Sequence, residues 1–131
     1  MTVTSVKNEI SVLVVDDEQD FVDALVKRLA RRGFATQGAL SGAEALKTLE
    51  RQPVHVVVLD ILMPGMDGLE TLRYIKENYP RVQVVLLSGH GGEELGVRGM
   101  AYGAFAYLLK PVPLARLVDT VIQAAEYAPV A

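Results

Sequence analysis

Five short runs of the chain, residues 11–15, 34–37, 54–59, 82–87 and 105–109, are rich in β-branched or aromatic residues. Four of them are apolar at nearly every position. Continuous apolar runs suit strands covered on both faces, as in a parallel sheet between two layers of helices. The second run, Phe34-Ala-Thr-Gln, is more polar and suits a sheet edge.

Helical periodicity fills the intervals. Phe21, Leu25 and Leu29 recur every four residues with Val22 and Val26 alongside, giving one apolar face. Arg31, Arg32 and Gly33 then read as a basic last turn closed by a left-handed glycine. Ser41 and Glu44 form an S-x-x-E capping box, after which Ala45, Leu46 and Leu49 face the core. Leu69, Leu72 and Ile75 mark a third helix, stopped by Asn78 and Pro80. Residues 93–102 make a weaker fourth. Pro113 fits a first helical turn, leading Leu114, Leu117, Val118, Val121 and Ile122 into a fifth.

Strands alternating five times with helices predict an α/β fold with right-handed crossovers, built as one domain over residues 10–126. The ends, 1–9 and 127–131, are expected to be flexible.

Composition narrows the function. The 131 residues suffice to bury roughly two-thirds of the unfolded surface. A net charge of −3 without a long Lys/Arg block argues against direct nucleic-acid binding. With no cysteine, disulfides, thiolate metal sites and cysteine nucleophiles are excluded. Neither a signal peptide nor an apolar stretch of membrane-spanning length is present, so a cytoplasmic protein is expected.

Ligands of open parallel sheets bind at the carboxyl ends of the strands. Asp16, Asp17 and Glu18 follow the first run, Asp60 the third, Ser88 the fourth and Lys110 the fifth. Hydrophobic periodicity requires no charge at these junctions, and the fold brings them to one rim. Carboxylates crowded together repel, so one pKa rises or a cation is recruited. A hard divalent ion such as Mg²⁺ suits a few carboxylates supplemented by water. A carboxylate beside Mg²⁺, with a lysine and a hydroxyl for phosphoryl oxygens, is equipped to form an aspartyl phosphate.

Val-Val-Asp-Asp-Glu (14–18), Leu-Asp-Ile-Leu-Met-Pro-Gly-Met-Asp-Gly (59–68), Leu-Ser-Gly-His-Gly (87–91) and Tyr-Leu-Leu-Lys-Pro (107–111) stand in this order. Together they resemble the response-regulator receiver domains of bacterial two-component signalling, over about residues 10–126. The resemblance implies a doubly wound, flavodoxin-like five-stranded parallel sheet of order 2-1-3-4-5. It implies Asp60 as phosphoacceptor, with Mg²⁺ held by Asp16, Asp17, Asp60 and the main-chain carbonyl of Leu62. Ser88 falls on the switch hydroxyl, Lys110 on the phosphate-binding lysine and Tyr107 on the switch aromatic. The Lys110–Pro111 bond is expected to be cis, against the general preference for trans. Leu62 and His90 would modulate phosphoryl lifetime. Leu62 is apolar and cannot position an attacking water, whereas His90 can pull the other way.

On this reading the chain takes a phosphoryl group from a sensor histidine kinase or phosphotransfer protein. It then alters the face of its fourth helix, fifth strand and fifth helix to control a partner or output domain. It is no enzyme beyond its own phosphorylation and dephosphorylation. The Ser-Gly-His-Gly run and the Met-Pro-Gly-Met-Asp-Gly loop look like those of receivers attached to ATP-dependent transcription activators and hybrid kinases.

Three rivals compete. A haloacid-dehalogenase-type phosphatase needs D-x-D after the first strand, whereas Asp16 and Asp17 are adjacent. A dinucleotide-binding domain needs G-x-G-x-x-G there, and Gly89, Gly91 and Gly92 come too late. A phosphorylation-independent pseudo-receiver, acting only as an interaction module, would be expected to lack Asp17, Asp60 or Lys110.

Single residues have plainer readings as well. Asp67 with Gly68 shapes a loop and caps the third helix, and His55 is a packed or edge residue. Gly96 and Gly99 fall inside the fourth helix, each costing about 1 kcal/mol relative to alanine. Either Gly99 and Gly103 serve close packing, or the glycines leave a marginal helix able to couple Ser88 to Tyr107.

Overall fold

In a computed structural model the chain is described over residues 10–63 and 68–128. Elements alternate without exception: β1 (Ser11–Val15), α1 (Gln19–Arg31), β2 (Ala35–Ala39), α2 (Gly42–Arg51), β3 (Val56–Asp60), α3 (Gly68–Asn78), β4 (Gln83–Ser88), α4 (Glu93–Ala101), β5 (Ala106–Leu109) and α5 (Leu114–Ala125). The strands form one sheet in the order β2-β1-β3-β4-β5, and every neighbouring pair is parallel.

Alternate residues of each strand point to opposite faces, so each apolar run supplies two cores. Val12, Val14, Val56, Val58, Val85 and Leu87 pack against Val22, Leu25 and Leu29 of α1 and Leu117, Val118 and Val121 of α5. On the other face Leu13, Val15, Val57, Leu59, Val84 and Leu86 meet Ala45 and Leu49 of α2 and Leu69, Leu72 and Ile75 of α3. Local signals behave as their chemistry dictates. The Ser41 hydroxyl accepts from the Glu44 N–H at 3.1 Å to start α2. Gly33, at φ 99°, closes the end of α1 with its N–H on Ala30 O.

Every strand after the first is shifted at one or both ends, and three boundaries bear on the site. β2 lies at 35–39 rather than 34–37, because Phe34 is buried in the core just before it. β3 spans 56–60 rather than 54–59. His55 sits in a bend that pins the amino end of β1: its Nδ1 accepts from Ser11 N–H at 3.0 Å. Asp60 is consequently the last residue of a strand and takes its position from the sheet. Pro113 is the N-cap of α5, at ψ 135°, and not part of its first turn.

The packed body also continues past 126. Tyr127 O accepts from Gln83 Nε2 at 2.9 Å, its ring lies 5.7 Å from that of Phe105, and Ala128 is buried. The segments 1–9 and 129–131, expected to be loose, lie outside the described residues, as does Asp67. Among the described residues no helix is long and apolar enough to cross a membrane.

Candidate functional site

The order 2-1-3-4-5 places β1 and β3 side by side at the centre, where successive connections leave from opposite faces. Asp16 follows β1 directly, and its main-chain N–H still donates to Ala39 O at 3.2 Å. Its carboxylate is almost wholly buried, and Oδ1 accepts from the Glu18 N–H at 3.0 Å. Asp60 ends β3, with Oδ1 accepting from the Leu62 N–H at 3.0 Å. Asp17 is exposed at the lip. Each of Asp16, Asp17 and Asp60 offers a carboxylate oxygen, and these lie within 4.8 Å of one another.

Lys110 reaches in from the end of β5. The Lys110 N–H donates to Ser88 O at 2.8 Å, and the Lys110–Pro111 bond is cis. Its ammonium donates to Asp16 Oδ2 at 2.7 Å and stands 3.7 Å from Asp60 Oδ2. Burial disfavours that ammonium. The Asp16 hydrogen bond and the charges of Asp60, Asp16 and Glu18 outweigh burial and hold the lysine pKa above its ordinary value. Asp60 responds the other way. Burial pushes its pKa up to about 6; the Leu62 N–H opposes the rise, Asp16 adds to it, Lys110 opposes it and Asp17 adds a little more.

Those carboxylates fit a hard cation. Opposite ligands of an octahedral Mg²⁺ are about 4.2 Å apart, so oxygens within the observed spread can share one ion after small rotations.

Ser88, fully buried at the end of β4, donates its hydroxyl to the Tyr107 hydroxyl at 3.1 Å. The Tyr107 ring lies over α4 at Gly96, where an added Cβ would stand 2.5 Å from it. Leu62 is 40% exposed, and its side chain approaches Gly92 beside Ser88. His90 is exposed. His55 lies at the opposite, amino-terminal edge of the sheet, where burial lowers its pKa.

Two neighbours of the site were not singled out from sequence. The Phe21 ring sits under the Lys110 ammonium, 4.4 Å from centroid to Nζ. Its place in the i, i+4 series of α1 disguised it as an ordinary core residue. Gly92 touches Ser88 so closely that a Cβ there would lie 2.7 Å from Ser88 Cβ. A glycine at a helix N-cap gives no hint of that contact.

The family model of the response regulator receiver domain matches residues 12–122. A putative response regulator, NtrX-like, of Rickettsia bellii is 40% identical over 89% of this chain and 25% of its own length. The C4-dicarboxylate transport transcriptional regulatory protein DctD of Rhizobium meliloti is 35% identical over 88% of this chain and 25% of its own. The chain thus spans about a quarter of the length of these curated relatives. The receiver domain of NtrX from Brucella abortus superposes with a TM-score of 0.84 at 36% identity, covering 88% of this chain and 98% of that one.

Proposed function

This chain belongs to the response regulator receiver domain family, and from that premise we propose that it is a phosphorylation switch whose phosphoacceptor is Asp60. Receiver domains are signalling domains of two-component systems and not enzymes in the ordinary sense.

The observation that carries the reading is the convergence on one buried carboxylate. Asp60 lies between a lysine ammonium 3.7 Å away and two further carboxylates close enough to share a cation. In the reaction an Asp60 oxygen attacks phosphorus. The new O–P bond forms as the P–N bond to a kinase or phosphotransfer histidine breaks, and the electron pair leaves on the imidazole nitrogen. Asp16, Asp17, Asp60 and the Leu62 carbonyl would hold Mg²⁺, which would supply charge neutralisation at the nucleophile and the phosphoryl group. Lys110 takes one phosphoryl oxygen and the Ser88 hydroxyl another. As Ser88 turns toward the phosphoryl group its bond to Tyr107 is renegotiated, and the face of α4, β5 and α5 changes with it. Leu62 shields the product from water and His90 tunes access. Relatives named as transcriptional regulators support an output in gene control through a further domain or partner.

With acetyl phosphate and Mg²⁺, intact-mass spectrometry is expected to show one added phosphoryl group on the wild type and none on Asp60→Asn. Asp17→Asn should raise the Mg²⁺ concentration required, because one anionic ligand is lost. Equal labelling of Asp60→Asn would reject the assignment. An unlabelled wild type would favour a phosphorylation-independent interaction module.

A further inference from the structure

We infer that Phe21, the third residue of α1, is a positioning residue for phosphoryl transfer, its ring face holding the Lys110 ammonium toward Asp16 and Asp60. The inference rests on Asp60 being the acceptor.

An ammonium has three N–H donors and a flexible four-carbon stem. At Lys110 one donor goes to Asp16 Oδ2 at 2.7 Å, and another side faces Asp60 Oδ2 at 3.7 Å. What lies on the third side is an aromatic face, with Nζ 4.4 Å from the Phe21 ring centroid. That distance is inside the range where the negative face of a ring attracts a cation. A ring also cannot compete as an acceptor the way a carboxylate or water would. The ammonium is held without being turned from the oxygens it must serve.

Local architecture makes the ring consequential. A cavity of about 470 Å³ opens between α1 and the start of α5, lined by Phe21 and Lys110 with Leu25, Leu87 and Leu117. It lies beside the lysine stem and offers that side chain somewhere to go. Phe21 stands at the junction of this cavity and the acceptor site, fixed from behind because it packs against the core shared by α1 and α5. A leucine at 21 would keep most of that packing and lose the ring face. A tyrosine would keep both.

The test uses the whole chain with acetyl phosphate and Mg²⁺, which removes kinase docking from the measurement. Phe21→Leu is expected to slow labelling of Asp60 by about 3- to 10-fold, while Phe21→Tyr stays within about 2-fold of wild type. NMR gives an independent reading: the Lys110 ε-methylene signals should be shifted upfield by the ring in wild type and Phe21→Tyr, and return toward ordinary lysine values in Phe21→Leu. That comparison does not depend on activity, and the wild-type shift alone decides if the leucine variant folds poorly. A wild-type rate in Phe21→Leu, an equal loss of rate in both variants, or an unshifted wild-type lysine overturns the inference while leaving Asp60 as acceptor. Undiminished labelling of Asp60→Asn instead overturns the underlying assignment, and the inference with it.

Discussion

Helices α1 and α4 flank the site around Asp60 and are attached to the sheet in opposite ways. α1 runs 13 residues and is held by the side chains of Val22, Leu25 and Leu29, with a basic last turn and a glycine close. α4 runs nine, and its buried residues are Gly96 and Gly99. Of its larger apolar side chains Leu95 packs partly buried against the core, while Val97 is 67% exposed and Met100 42%. Where α1 presses side chains onto the sheet, α4 presses backbone: a Cβ on Gly99 would stand 2.3 Å from Leu86 Cδ1. Each fully buried leucine or valine contributes about 1.5–3 kcal/mol, whereas each helical glycine costs about 1 kcal/mol relative to alanine. Close approach is therefore obtained in α4 at the expense of adhesion. One wall of the site is anchored by large side chains and carries Phe21 under Lys110; the other is seated by backbone contact at two glycines and holds the ring of Tyr107.

Core truncations should expose this asymmetry most strongly. Leu29 is fully buried, and Leu29→Ala is expected to lower unfolding free energy by about 2–5 kcal/mol. Leu95 of α4 is only partly buried against its core, so Leu95→Ala should cost about 1 kcal/mol or less. Urea denaturation of both variants measures the difference. Equal losses would mean that α4 is anchored as firmly as α1, and the contrast would fail.

Between the two walls stands the buried carboxylate of Asp60. The folded pKa of Asp60 is raised to about 6 from the ordinary 3.8, chiefly by burial. A raised carboxyl pKa contributes stability below the unfolded value that is lost as pH rises through the folded one. Over pH 4–6 the folded chain therefore binds protons that the unfolded chain releases, and above 6 the cost of an ionised Asp60 is fully present. Without divalent cation, Asp60→Asn should be more stable than wild type at pH 7.5 by about 1–3 kcal/mol, shrinking toward zero by pH 4. Thermal melts across that range check it. A constant difference would remove Asp60 ionisation as its cause.

The two helices also differ in how far they could be read from sequence. α1 announces itself because its anchors are large apolar side chains at regular spacing, and β1, β3 and β4 do so because both faces are covered. The rim of Asp16, Asp60, Ser88 and Lys110 was legible for a related reason: polar residues ending apolar runs have no packing excuse. α4 was legible as a helix but not in its attachment. A glycine pattern is compatible with looseness or with contact, and only the position of Leu86 and the Tyr107 ring distinguishes them. β2 was misplaced by one to two residues at its ends for a similar reason. Gly38 pairs with Val14 within it, and only a glycine fits there, since a Cβ would lie 2.3 Å from Val22 Cγ1, a neighbour supplied by α1. The pairing of Phe21 with Lys110 joins residues 89 positions apart and leaves no local trace.

The smallest effect on stability should come from the substitution that bears most directly on the α4 wall. Gly96→Ala places a methyl group 2.5 Å from Cε1 and Cζ of the Tyr107 ring, closer than carbon atoms approach. Either the ring leaves or the helix retreats. If the ring leaves, the bond from the Ser88 hydroxyl to the Tyr107 hydroxyl is lost, a net cost of about 0.5–1.5 kcal/mol. Replacing a helical glycine by alanine returns about 1 kcal/mol, so the total should change by less than about 1 kcal/mol in either direction. Conformation, though, should change completely: the Tyr107 hydroxyl turns to solvent, and its ring signals in NMR lose their contacts with residue 96. Ser88 is then freed from Tyr107 in the unphosphorylated protein. A ring that stays beside Ser88 in Gly96→Ala would show that α4 gives way instead, making the helix and not the aromatic side chain the part that moves.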